Sequence, residues 1–382
     1  MSRQPDRRPR GRSYALLGKD ARIYFKDGTS IVDFVVGLHG NIFGYNPDFI
    51  RNEIEKRSDY VVTSFAPTIE SDVAKLIGKI RPDIEQVRFG KNGGDVCSAA
   101  VRLARAVTGR DKIAVQGYHG FGSEFTEHKP STGPSTYHNF EEGRGVPQCF
   151  LDLQARFDWW DGKTMREAAR DAACIIVEVP PTDDYTATQQ FLEQCQRAAQ
   201  ENGALFVLDE VVTGFRFALG GAAEYYGIRP DLYCYGKAMS NGYACSAIGG
   251  LAELMEEFQR GVFFSATFFD DPLGLTAAHA TLSQLIERRD EVYSHLWSQG
   301  KRLKDGINTL ASQYKIGVKC VGQEPRTVNE WKDDATRRRF MELCLKQGIL
   351  IDRPNFITMS HTKDIIDKTL KVIESAFKEI VA

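Results

Sequence analysis

Polar and apolar residues alternate over residues 21–34 (ARIYFKDGTSIVDF), and the alternation breaks at Lys26-Asp27-Gly28, which predicts a β-hairpin. From about residue 70 the pattern changes to helix and strand in turn. Helical spacing over 71–80 precedes a short strand at 86–89, a helix over 95–108 stopped by Gly109, and a strand at 112–115. Further strands are expected at 174–179, 204–208 and 232–235, with a helix over 191–202 that ends at Gly203. IIVEV and ALFVL are continuous apolar runs, the pattern of parallel strands covered by helices on both faces. The centre of the chain therefore reads as α/β. Helices then lengthen from 272 towards 311. Short strands follow at 349–351 and 356–359, and a last helix covers 363–380, a shift that marks a smaller C-terminal domain.

With 382 residues, the chain suggests one large domain plus a smaller one. Hydrophobic residues make up 42% and the formal net charge is −2, so the balance calls for neither nucleic acid nor an acidic membrane. No run approaches the roughly 18 apolar residues that span a bilayer. The eight cysteines are scattered, with no C-x-x-C pair and no zinc spacing, so no metal site is expected. They read as reduced core residues of an intracellular, cytoplasmic protein. The opening MSRQPDRRPRGR is basic without an apolar stretch; it reads as a solvated arm, not a secretory signal.

Ligands of parallel α/β sheets collect beyond the carboxyl ends of the strands, and four such ends carry distinctive residues. Lys91-Asn92-Gly93-Gly94-Asp95 opens a helix, where paired glycines and free N–H groups suit a phosphate. It is not a P-loop, because no Gly-Lys-Ser/Thr follows; a plain capped turn has the same look. Gly117-Tyr118-His119-Gly120 offers rings that stack on a flat ligand or simply pack a corner. Asp209-Glu210 closes ALFVL, and a buried acid there needs a cationic partner. In Tyr235-Gly236-Lys237-Ala238-Met239-Ser240, a lysine after an apolar strand suits Schiff-base chemistry, although most single lysines lie on surfaces. Together the four supply what pyridoxal 5′-phosphate needs: a phosphate seat, a ring stacker, an acid for the pyridine nitrogen and an amine.

The stretch LDEVVTGFRFALGGAAEYYGIRPDLYCYGKAMSNGY, residues 208–243, resembles the class III (subgroup II) aminotransferases of fold type I, and within them the glutamate-1-semialdehyde aminomutase-like branch. FKDGTSIVDFVVG, VRFGKNGGDVCSAAVRLARAVTGRDKI, GYHG and SHTKDIIDKTL extend the likeness from about Arg22 to the end. The separation of acid and lysine, 237 − 209 = 28, is also as in that family.

The resemblance implies the aspartate aminotransferase-like fold: an N-terminal segment (1–50) joining a small α+β domain (286–382), and a large domain (51–285) with a mainly parallel sheet. It implies Lys237 as the Schiff-base lysine and Asp209 as holder of the ring-nitrogen proton. Val211 packs on the ring, Tyr118 stacks on it, and His119 lies beside it. Asn92, Gly93 and Gly94 bind phosphate, Glu178 is the acid near the cofactor, and Thr267 reaches the phosphate of a second subunit, which makes the unit a homodimer. Arg216 reads as structural, with a clamp on a substrate carboxylate as the alternative.

The implied activity is transfer of an amino group from an amino donor to a carbonyl acceptor. An intramolecular 2,1-aminomutase is the alternative, followed by a decarboxylase or racemase and by a binding protein without catalysis. The sequence also departs from the family. Asn-Gly-Gly stands for Ser-Gly-Thr, Val-Pro-Pro follows Glu178, and Asp270-Asp271-Pro272 replaces Gly-Asn-Pro. The aminomutases' arginine-bearing N-terminal stretch also has no counterpart. The last two changes touch the substrate mouth, not the cofactor seat.

Overall fold

Continuous apolar runs do build a buried sheet of seven strands, in the computed structural model, which describes residues 14–57, 61–125, 143–351 and 354–382. The basic arm expected at the start lies outside the described residues. In spatial order the strands are Gln86–Gly90, Ser246–Gly250, Leu232–Tyr235, Leu205–Glu210, Ala172–Glu178, Lys112–Gln116 and Gln154–Arg156. Ser246–Gly250 is antiparallel to both of its neighbours, and every other pairing in the sheet is parallel. All carboxyl ends except that of Ser246–Gly250 therefore share one edge of the sheet. Register aligns Glu178 with Asp209 and Asp209 with Cys234, so the three stand side by side at that edge.

Helices cover both faces. Gly93–Thr108 buries Val96, Cys97, Ala100, Val101, Leu103 and Ala104 against the sheet. It starts earlier than the apolar spacing indicates, because Asp95 accepts hydrogen bonds from the Lys91 and Asn92 backbone N–H groups and caps the turn ahead of it. On the other face, Tyr185–Asn202 buries Phe191, Leu192 and Cys195. Asp184 caps its start by accepting from the Ala187 N–H.

Two smaller sheets flank this core. The hairpin Arg22–Phe25/Ser30–Asp33 gains a strand at Ala15–Lys19 and pairs in parallel with Ile349–Leu350 from the C-terminal region. Val318–Val321, Arg326–Trp331 and Asn355–Phe356 form the other sheet, with Arg326 opposite Phe356. The lengthened helical region divides at Arg288 into Pro272–Glu287 and Arg289–Gln313. The strand expected at 356–359 is shorter, because Thr358 turns back and its N–H donates to His361 Nδ1. No described helix is long and apolar enough to cross a membrane.

Candidate active site

Lys237 follows the 232–235 strand after Gly236 and starts a single 3₁₀ turn, Lys237–Ser240. Its φ is +45°, a left-handed backbone rarely taken by residues with a side chain. Asn241, at the end of the turn, fixes that geometry from outside. Its Oδ1 accepts from the Ile42 and Phe43 N–H groups at 2.8 Å each, and its Nδ2 donates to the Gly44 carbonyl at 2.9 Å. No described residue forms a hydrogen bond or ion pair with the Lys237 amine. Burial lowers its pKa from the ordinary lysine value, while the nearby Asp209 and Glu178 carboxylates pull the other way. The amine therefore shares a site with both acids.

Asp209 is 3% exposed and His119 2%. His119 Nδ1 lies 2.7 Å from Asp209 Oδ2, and its Nε2 lies 3.1 Å from the Gln116 carbonyl. A carbonyl only accepts, so Nε2 carries a proton. Nδ1 and a carboxylate oxygen at 2.7 Å need a second proton between them. Burial opposes charge on the imidazole, but the Asp209 bond outweighs it and raises the His119 pKa to about 10. His119 is thus an imidazolium at neutral pH, paired with Asp209. Cys97 donates its S–H to the same Oδ2 at 3.4 Å, and burial holds that thiol far above its usual pKa. Asp209 Oδ1 accepts the Val211 N–H at 2.9 Å. The acid is thereby held in a fixed direction.

The candidate phosphate turn lies on the same edge. Asn92 is exposed and Gly93 and Gly94 half-buried, at the open N-terminus of a helix of 16 residues. A methyl group on Gly93 would meet Val211 Cγ1 at 2.6 Å, so Val211 and the turn are in direct contact. Gly94 packs its backbone on Gly120, where an added Cβ would lie 2.6 Å from Gly94 Cα. Tyr118 donates its backbone N–H to Glu178 Oε2 at 2.9 Å, and the residue is 37% exposed. Burial and the Asp209 carboxylate raise the Glu178 pKa, and the His119 and Arg326 cations and the Tyr118 N–H oppose them.

The structure thus brings Asn92, Gly93, Gly94, Tyr118, His119, Glu178, Asp209, Val211 and Lys237 to one edge of the sheet. Thr267 lies apart, exposed on the loop ahead of Pro272–Glu287, with no hydrogen bond to the others among the described residues. Arg216 is buried and donates to the Ile357 and His39 carbonyls at 3.1 Å each, in keeping with a structural part. The sequence pattern gave no role to Cys97, Asn241 or Arg326, and marked Glu210 only as the neighbour of Asp209. Cys97 had a signal, since it follows Gly93 by one helical turn and shares its face. Glu210 is fully buried and accepts from Thr213 and from the Ala222 and Ala223 N–H groups. It ties down the loop after Asp209. Nothing local marks Arg326, which arrives from a distant strand.

These residues fit pyridoxal 5′-phosphate. A helix N-terminus with two side-chain-free positions has the room and the N–H donors for a phosphate. A buried carboxylate hydrogen-bonded to His119 has the chemistry to meet a ring nitrogen, and an amine of lowered pKa lies on the same edge. Fold and site together define a pyridoxal-phosphate-dependent enzyme of fold type I. The sequence model of the family "Aminotransferase class-III" matches residues 14–380, and the chain belongs to that family. It is 32% identical to a glutamate-1-semialdehyde 2,1-aminomutase of Fusobacterium nucleatum, over 95% of this chain and 89% of that protein. An aminomutase of Archaeoglobus fulgidus is 29% identical, over 95% and 92% respectively. Among solved structures, the Sphingopyxis FumI protein in its PLP internal aldimine form aligns with a TM-score of 0.86 and 25% identity, over 99% of this chain and 90% of that one. Pyridoxal 5′-phosphate is accordingly the cofactor.

Proposed function

We propose that this enzyme shifts an amino group within one molecule, as a 2,1-aminomutase-type isomerase of the kind its curated relatives are named for. The near-complete coverage of those relatives at about one-third identity supports this ahead of transfer between molecules. The observation that carries the amino-group chemistry itself is the shared edge of Lys237 and the His119–Asp209 ion pair.

Bound pyridoxal phosphate supplies an electron sink that acidifies the C–H bond next to a captured amine. Lys237 would hold the cofactor through Nζ, and Asp209 would hold the ring-nitrogen proton. Asn92, Gly93 and Gly94 would take the phosphate, with Tyr118 and Val211 on the ring and Glu178 beside it. Lys237 Nζ would also be the group that takes a proton from one carbon and returns it to another. Its lowered pKa leaves more of it as free amine at neutral pH, as a base requires. His119 would keep its proton throughout and so hold Asp209 in place. Thr267 is proposed to act across a dimer, on the phosphate of the partner subunit.

Transfer between molecules is the second reading. It is favoured by the mouth beside the phosphate turn, where Lys91 Nζ binds Asp271 Oδ2 at 2.6 Å and the Ala244 carbonyl at 2.8 Å, a pairing built on the altered Asp-Asp-Pro segment. One assay separates the two. Purified holoenzyme is given glutamate-1-semialdehyde with no second carbonyl compound, and the isomeric amino ketone is measured. Multiple turnovers support the mutase. Turnover only after a keto acid or sugar carbonyl is added overturns it in favour of the transferase.

A further inference from the structure

Among the described residues, Arg326 is the buried guanidinium group with the fewest hydrogen bonds. It begins the 326–331 strand, is 3% exposed, and comes from the C-terminal sheet to the edge of the central one. There its Nη1 donates to the carbonyl of Val179 at 2.9 Å, one residue past Glu178. Its Nε is buried without a partner, and no described residue accepts a bond from Nη2. No described carboxylate forms an ion pair with it. Other buried arginines are engaged differently. Buried Arg337 pairs with Asp334, half-buried Arg81 with Asp83, and buried Arg216, whose Nε also lacks a partner, uses two carbonyls and the face of Phe356 at 4.8 Å.

A guanidinium taken out of water without an anion is unfavourable by several kcal/mol unless something repays it. Here the fold holds it in place regardless. A turn at Gly322, with φ +96°, leads into the strand, the Arg326 N–H donates to the Gln323 carbonyl at 2.8 Å, and Phe356 pairs across from it. Its neighbour at the site is Glu178, whose Oε2 is already taken by the Tyr118 N–H. The fields of Arg326 and Glu178 act on each other, and that of Arg326 reaches Lys237. Spare N–H donors in a planar fork, held at the backbone just past Glu178, match a carboxylate.

We propose that Arg326 is the anchor for a carboxylate of the substrate, so that the enzyme acts on amino acids or their semialdehydes in preference to plain amines. This rests on the amino-group chemistry proposed above. Arg326 is here a specificity-determining residue; the proton transfers belong to Lys237.

The test uses holoenzyme and a panel of amino acids, each matched with the amine that has a methyl group in place of the carboxylate. The rate of change of the cofactor's visible band is followed for wild type, Arg326→Gln and Arg326→Lys, together with the calorimetric Kd of succinate. Losing a buried charged contact is worth about 100-fold. In wild type, amino acids are therefore expected to outpace their matched amines by about that factor. Arg326→Gln should bring the ratio to within about 10-fold and weaken succinate by about 100-fold. Arg326→Lys, which keeps a donor for Val179 but lacks the fork, should fall between.

A wild type that treats both members of each pair alike overturns the proposal. So does an Arg326→Lys protein with its cofactor spectrum intact and its amino-acid preference and succinate affinity unchanged. If Arg326→Gln does not fold, the wild-type ratios and the lysine variant decide. A wild-type band that no amine or amino acid moves would instead bring down the amino-group reading beneath it.

Discussion

Lys237 holds a left-handed backbone that costs a side-chain-bearing residue about 1–3 kcal/mol. Lys237→Ala is expected to lower turnover to under about one thousandth, because both the proposed cofactor anchor and the proposed base are lost; rate measurement on cofactor-loaded protein checks this. Lys237→Gly should be just as inactive yet melt higher than the alanine variant, since glycine takes positive φ freely. Equal melting temperatures would show that the turn carries no such strain.

His119 gives a prediction in pH. Its pKa in the fold, about 10, lies above the ordinary 6.5. A raised imidazole pKa adds stability that is complete below about 6.5 and fades as pH climbs through about 10. Melting curves of cofactor-free wild type and His119→Gln should thus be furthest apart below pH 6.5 and converge towards pH 10. A gap that widens with pH refutes the ion pair. Lys237 and Asp209 were legible in sequence because each closes an apolar run with a charge, and a charge at the end of a buried strand needs a partner or a task. Arg326 was not, because its setting is created by residues 179 and 356, far from it in the chain.

Among the elements, the turn Asn92-Gly93-Gly94 depends on what lies behind it. Gly93→Ala pushes a methyl into Val211, whereas the same change at Gly94 meets Gly120 Cα at an ordinary 3.4 Å. Gly93→Ala should weaken cofactor binding by about 10- to 100-fold, the equivalent of about 1–3 kcal/mol of overpacking. Gly94→Ala should do less. Equilibrium dialysis of the cofactor against both variants tests the order, and the reverse order would mean that the turn faces elsewhere. Most strands and helices could be read from apolar periodicity, with ends displaced by capping. Ser246–Gly250 (SAIGG) could not. Its glycines look like a loop, but Cβ atoms at 249 and 250 would lie 2.6 Å from Ile84 Cγ2 and the Asp231 carbonyl. Close packing, not β-propensity, selects them.

Across the whole molecule, Asn241 links the lysine turn to residues 42–44 near the start of the chain. Asn241→Ala leaves two N–H groups and one carbonyl without partners. It is expected to lose about 2–4 kcal/mol of stability, measured by denaturant unfolding, together with part of the cofactor. A loss under about 0.5 kcal/mol would show that water replaces the amide. The α/β class and the residue set at the sheet edge were visible in sequence, because they follow from local pattern. The joining of the first and last parts of the chain, through Ser30–Asp33 and Ile349–Leu350, rests on pairing across more than 300 positions and left no local trace.

The strand Gln86–Gly90 touches its sheet through Ser246–Gly250 alone. During synthesis, the segment preceding the candidate phosphate turn therefore has no strand to pair with until residue 250 has left the ribosome. Closing so long a loop is slow and comes late. Nascent chains halted just before residue 246 already contain Asn92, His119, Asp209 and Lys237, yet they should retain no vitamin B6, while chains released a little beyond 250 should begin to do so.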